Sequence, residues 1–181
     1  MTEILPPLPP EEESPVFEAF KKIMIRLLAL LLILLMVSYV LGYYAANYIE
    51  SKLESEQVNK ETFIIQTNGK TITFTETAYK KLNAIYFANL KHEFKACLLG
   101  TTDGTTYTIQ YIVEPEVVSQ TPFQVTSAPC PSKTIIDLHS HPFKKCIASA
   151  TDLNHLKRLK QANPHVLLAV MCEQDRFSIY T

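Results

Sequence analysis

The longest apolar run comes early in the chain. From Leu27 to Ile49 it reads LLALLLILLMVSYVLGYYAANYI, without a charged residue. At about 1.5 Å per residue, a helix of roughly 20 residues spans a hydrocarbon core. Tyr39, Tyr43, Tyr44 and Tyr48 gather in its second half, as an interfacial aromatic belt would. The run is too long for an ordinary buried core helix. A signal peptide would have a shorter apolar region, about 7–15 residues, closer to the N-terminus. Residues 21–49 are therefore predicted to form a transmembrane signal anchor. Lys21, Lys22 and Arg26 precede the apolar run, while Lys52 and Lys60 follow it. That bias, one charge in size, points to an inside N-terminus and an outside C-terminal domain and leaves the side open.

Shorter patterns flank this run. Residues 1–20 combine prolines with an acidic stretch and cannot bury a core, so they are predicted to be a disordered tail. Residues 50–61 (ESKLESEQVNKE) are polar and read as a stalk extending the helix. The folded domain is expected over 62–181. It opens with two β-rich runs around Asn68-Gly69, a type I′ hairpin signal. Thr75 is placed to cap a helix through His92, whose apolar face is Ala78, Leu82, Ile85, Tyr86 and Leu90. Strands are expected at FKACLLG, TYTIQYIVEP, PFQVTS, TIIDLHS, HVLLAVMC and RFSIY, with a helix over ATDLNHLKRLKQAN. This mixture, not strictly alternating, predicts an α+β fold, a sheet covered by helices.

Net charge is −1, and no basic stripe is present, so a nucleic-acid partner is not indicated. The only glycine in the apolar run is Gly42, so it carries no GxxxG association face. The four cysteines form no CxxC pair. Cys97 and Cys172 lie in apolar runs and read as small buried hydrophobes. Cys130 and Cys146 lie in loop sequence and read as the pair that is exposed or bridged.

The chemistry is concentrated between Ile136 and Asp152. His139 and His141 are two apart on a predicted strand, so both rings project from one face. Ser149 and Asp152 are three apart at a helix start and share its first turn. Two imidazoles and one carboxylate make a three-ligand zinc set with a fourth position left for water. Each residue also has a plain structural role: strand histidines are commonly hydrogen-bonded surface residues, Ser149 is a fitting N-cap, and Asp152 suits the positive end of a helix. His155 shares the Asp152 helix face, as an exposed residue or a partner behind the ligands. His92 and His165 are given no ligand role.

The segment HSH, seven residues, then SATD resembles the HxHx7SxxD pattern of the JAMM (MPN+) metalloproteases. The upstream run Glu93-Phe94-Lys95-Ala96-Cys97-Leu98-Leu99-Gly100 is similar to that family's glutamate strand. The resemblance covers about residues 62–181 and departs from the pattern at Ala96, where glycine is common, and in the loop FKKCIAS, which lacks a proline. It implies an α/β/α-like sandwich of the JAMM and cytidine-deaminase type. It implies that His139, His141 and Asp152 hold one Zn2+ with a water, that Glu93 is the general acid/base and that Ser149 donates to the oxyanion. It further implies a membrane-anchored isopeptidase or peptidase, akin to small prokaryotic members, that cuts at the C-terminus of a ubiquitin-like or sulfur-carrier-like modifier. A peptidase of extracytoplasmic peptides and a non-catalytic scaffold module are the other expectations.

Overall fold

The computed structural model describes residues 15–181. The chain divides into two compact units after Ala45. Helix α1 runs from Pro15 to Leu53 and passes through this division. In the first unit its side chains are exposed, with Lys22 and Glu18 paired one turn apart at 3.3 Å. An 18-residue window of the helix has mean hydropathy 2.6 and none of it is buried, so α1 is long and apolar enough to cross a membrane. The tail expected over residues 1–20 lies outside the described residues as far as position 14. From Pro15 onward the chain is already helical, which corrects that boundary. Proline suits a helix start because the N–H it lacks would have no intrahelical partner there.

The second unit, from Ala46 onward, is built on an eight-stranded sheet. Its strands are β1 (Glu56–Gln57), β2 (Ile64–Thr67), β3 (Lys70–Phe74), β4 (Lys95–Thr102), β5 (Thr106–Val113), β8 (Thr134–Ser140), β9 (Leu167–Glu173) and β10 (Arg176–Tyr180). They lie in the order β1-β10-β9-β8-β4-β5-β3-β2. The β3–β5 and β8–β9 pairs are parallel and the others antiparallel. Strands β6 (Val117–Gln120) and β7 (Val125–Ser127) form a separate two-stranded sheet. The fold is mixed α+β, a large sheet flanked by helices.

Local sequence explains the main elements. Asn68 and Gly69 both take left-handed φ, 45° and 71°, as a type I′ turn requires between β2 and β3. Thr75 accepts the Ala78 N–H at 3.3 Å and starts α2 (Glu76–Ala88). This helix stops four residues short of the expected His92. The Asn89 side chain turns back to donate to Ile85 O at 2.9 Å and satisfies a terminal carbonyl. Helix α2 buries Ala78, Tyr79, Leu82 and Ile85 in the larger core.

Residues 50–61 are not a free extension of the helix, as their polarity suggested. Helix α1 ends at Leu53, Ser51 and Ser55 are buried, and β1 pairs with β10. Several of their polar groups bond to protein, while Glu54, Glu56 and Glu61 stay exposed. Lys52 reaches Glu173 at 2.9 Å, Arg176 donates to Ser55 O at 3.0 Å, and the Val58 N–H donates to Asp175 O at 2.8 Å.

Strand alternation sorts the two faces of the sheet. On β9, Leu167, Ala169 and Met171 join the larger core, while Leu168 joins a smaller cluster with Leu156 of helix α3 (Ala150–Ala162). On β8, Ile136 and Leu138 belong to the larger core, so Asp137 and His139 point to the opposite face.

The cysteine expectation is overturned. Cys97 pairs with Cys130 and Cys146 with Cys172, so the two strand cysteines bridge the two loop cysteines and none is free. Strand burial does not exclude bridging when a loop cysteine crosses the same face.

Gly100 marks a register shift in the β4–β5 pairing. A Cβ there would lie 1.8 Å from Thr108 O. Gly100→Ala should therefore force the strands apart and lower the unfolding free energy by about 1–3 kcal/mol or more, read by denaturant titration. Unchanged stability would contradict the close approach.

Candidate metal centre

Three donor-bearing residues converge beside the end of β8. His139 is within the strand, and His141 lies one residue past its end. The rings nonetheless face each other, with Nε2 atoms 3.1 Å apart. Asp152 enters from α3: Oδ1 is 3.4 Å from His139 Nε2, and Oδ2 is 3.7 Å from His141 Nε2. Ligands about 2.0–2.1 Å from a tetrahedral zinc stand about 3.3 Å from one another. The shortest spacings bracket that value, with the two histidines nearest different oxygens of Asp152, so the group is able to hold a metal ion. Among the described residues, His139, His141 and Asp152 form the group able to hold a metal.

Two of the three donor residues are oriented by a neighbour. His141 Nδ1 lies 3.1 Å from the carbonyl of Lys145. A carbonyl can only accept, so Nδ1 carries the hydrogen and the neutral ring presents a lone pair at Nε2. Asp152 is held by a capping box at the start of α3. The Ser149 N–H donates to Oδ2 at 2.7 Å, and the Asp152 N–H donates to Ser149 Oγ at 3.2 Å. Burial disfavours the charged carboxyl, but the adjacent His139 and His141 rings and the bond from Ser149 outweigh it and hold Asp152 well below the usual carboxylate range.

Glu93 is brought to the same place across 46 positions of sequence. It stands two residues before β4 and is buried, with Oε1 3.8 Å from His141 Nε2. Its backbone is fixed on both sides: the N–H donates to Thr121 O at 2.9 Å, and Gln120 Nε2 donates to its carbonyl at 2.8 Å. Burial pushes its carboxyl above the ordinary value, more than His141 and His139 pull it down. Ser149 sits at the mouth of α3 as its N-cap. Its oxygen accepts one hydrogen bond there, which leaves its own O–H able to donate elsewhere.

The structure adds residues that sequence reading had left aside. His155, read there mainly as an exposed helix residue, has Nε2 3.3 Å from Asp137 Oδ2. Lys95 Nζ is 3.0 Å from the same oxygen. The signals were present in the two-residue spacing of Asp137 and His139 and the three-residue spacing of Asp152 and His155. His92 and His165 lie outside the cluster, and the His165 carbonyl accepts from the Tyr107 hydroxyl at 2.7 Å.

The geometry allows one metal ion per chain, and zinc serves as the probe. Zinc at about 100 times its Kd should stabilise the protein by about 2.7 kcal/mol and raise Tm by roughly 5–10 °C. His141→Ala and Asp152→Ala should abolish that shift in a thermal melt. A wild-type chain whose Tm ignores zinc would contradict the site.

The comparisons with known proteins add no relative: no protein-family model matches this chain, and no curated protein does.

Proposed function

We propose that this protein is a membrane-anchored, zinc-dependent peptidase or isopeptidase of the JAMM type. The observation that carries the reading is the convergence of His139, His141 and Asp152 at zinc-ligand spacing with the Glu93 carboxylate 3.8 Å from His141. His139, His141 and Asp152 would hold the ion. Zinc there supplies a Lewis acid and lowers the pKa of water towards about 7.

The chain's own residues account for the remaining chemistry. Glu93 accepts the proton of the attacking water on a carboxylate oxygen. Its raised pKa suits a group that must take up a proton and give it back. The water oxygen bonds to the amide carbon, the C–N bond breaks, and Glu93 returns the proton to the leaving amine. The Ser149 O–H donates to the amide oxygen as that oxygen gains charge. The capping box keeps Ser149 and Asp152 in fixed relation while this happens.

The substrate follows from the side of the membrane. A domain facing the cytosol would meet the C-terminus of a compact ubiquitin-like or sulfur-carrier-like modifier. A domain facing outward would meet exported peptides. The two disulfides favour the outward reading, because such bonds persist in oxidising compartments. The three cations preceding the apolar run favour it as well.

Two measurements test this. With the full chain in detergent, chelation should abolish amide hydrolysis and zinc should restore it. Glu93→Gln should keep zinc but lose about 10²–10⁴-fold in kcat. Activity that survives metal removal would refute the mechanism. Alkylation of intact cells followed by mass spectrometry should recover linked Cys97–Cys130 and Cys146–Cys172 peptides. Four freely alkylated cysteines would return the domain to the cytosol.

A further inference from the structure

Three polar side chains meet on the α3 face of the sheet, beside the metal centre but outside it. Asp137 is almost wholly enclosed, its side chain 3% exposed. Lys95, 13% exposed, reaches its Oδ2 at 3.0 Å. His155, 33% exposed, reaches the same oxygen at 3.3 Å.

Their positions in the chain repeat those of the site. Lys95 lies two residues after Glu93 at the start of β4. Asp137 lies two residues before His139 on β8. His155 lies three residues after Asp152 on α3. Each spacing returns a side chain to the same face of its element. Strand register tightens the relation further: Lys95 pairs directly with His139, and Cys97 pairs with Asp137. The segments that carry Glu93, His139 and Asp152 thus each contribute one group to this second cluster.

A buried ion pair is a poor source of net stability, because desolvation of the charges offsets their attraction. What a shared carboxylate oxygen does supply is a common anchor. Lys95 approaches it from β4 and His155 from α3, while Asp137 itself is fixed in β8. We propose that Lys95, Asp137 and His155 are positioning residues that lock β4, β8 and α3 in the register at which Glu93, His139 and Asp152 meet. This inference rests on the zinc reading of the site. It gives the cluster no contact with substrate.

The test uses full-length protein in detergent, and its primary readout is zinc Kd, measured by competition with a chromophoric chelator. The second readout is the visible spectrum of the cobalt(II)-substituted protein, and the third is Tm without metal. The double variant Lys95→Met with Asp137→Leu removes both charges together, so the fold has no orphaned buried ion. It should keep the metal-free Tm of the wild type while zinc Kd rises about 10–100-fold and the cobalt spectrum changes. His155→Ala should raise Kd in the same direction, and His155→Gln, which can still donate to Asp137, should restore it. His155 is partly exposed, so these variants give an answer even if the double variant does not fold. Zinc Kd within about twofold of wild type in the folded variants would overturn the positioning role while leaving the zinc site intact. A wild-type chain that binds no zinc would overturn both.

Discussion

Ser140 stands between the two candidate ligand histidines and bonds twice to the neighbouring strand segment. Its N–H donates to Phe94 O at 2.9 Å, and its hydroxyl accepts the Phe94 N–H at 3.0 Å. Phe94 is the residue after Glu93, so this double link, made across 46 positions of sequence, fixes the glutamate beside His141. From there the antiparallel β4–β8 ladder continues with Lys95 opposite His139. Both ligand histidines, the buried carboxylate and the Lys95–Asp137–His155 cluster depend on this one register. A slip of one residue would send His139 to the larger core and Leu138 to the site.

The third candidate ligand arrives by a different route, and the loop that brings it is strongly held. Between His141 and Ser149 the chain is bridged to β9 through Cys146–Cys172. The Cys146 N–H also donates to Ser51 Oγ at 3.2 Å, and the Ala148 N–H to the Tyr180 hydroxyl at 2.9 Å. These restraints deliver Ser149 to the start of α3. The capping box then aims Asp152 at the histidines, so an ordinary helix-starting motif doubles as ligand orientation. The plain structural reading of Ser149 and the functional one are compatible, because capping uses the serine oxygen as acceptor and leaves its hydrogen.

What could be read from sequence was what short-range chemistry determines. The Asn68-Gly69 turn, the Thr75 cap, the strand carrying His139 and the helix carrying Asp152 all follow from neighbours within four residues. Spacing put His139 with His141 and Ser149 with Asp152, while the joining of the two pairs with Glu93 in one site was implied by resemblance. Long-range pairing was not legible. Nothing local distinguishes Cys97 as a bridged residue from Cys97 as a core hydrophobe. The polarity of residues 50–61 signalled solvent, but those groups meet Glu173, Arg176 and Asp175 across more than a hundred positions. His155 was missed as a partner of Asp137 because its helix face is polar in both roles, and only the sheet decides between them.

The proposed centre is a four-coordinate zinc held by two imidazoles, a carboxylate and a water. Zinc-edge X-ray absorption on the full-length protein tests this most directly. The expected spectrum has four light-atom ligands, nitrogen and oxygen, at about 2.0–2.1 Å, with imidazole scattering from two rings. Sulfur neighbours at about 2.3 Å would place the metal on the cysteines instead and contradict both the site and the disulfides.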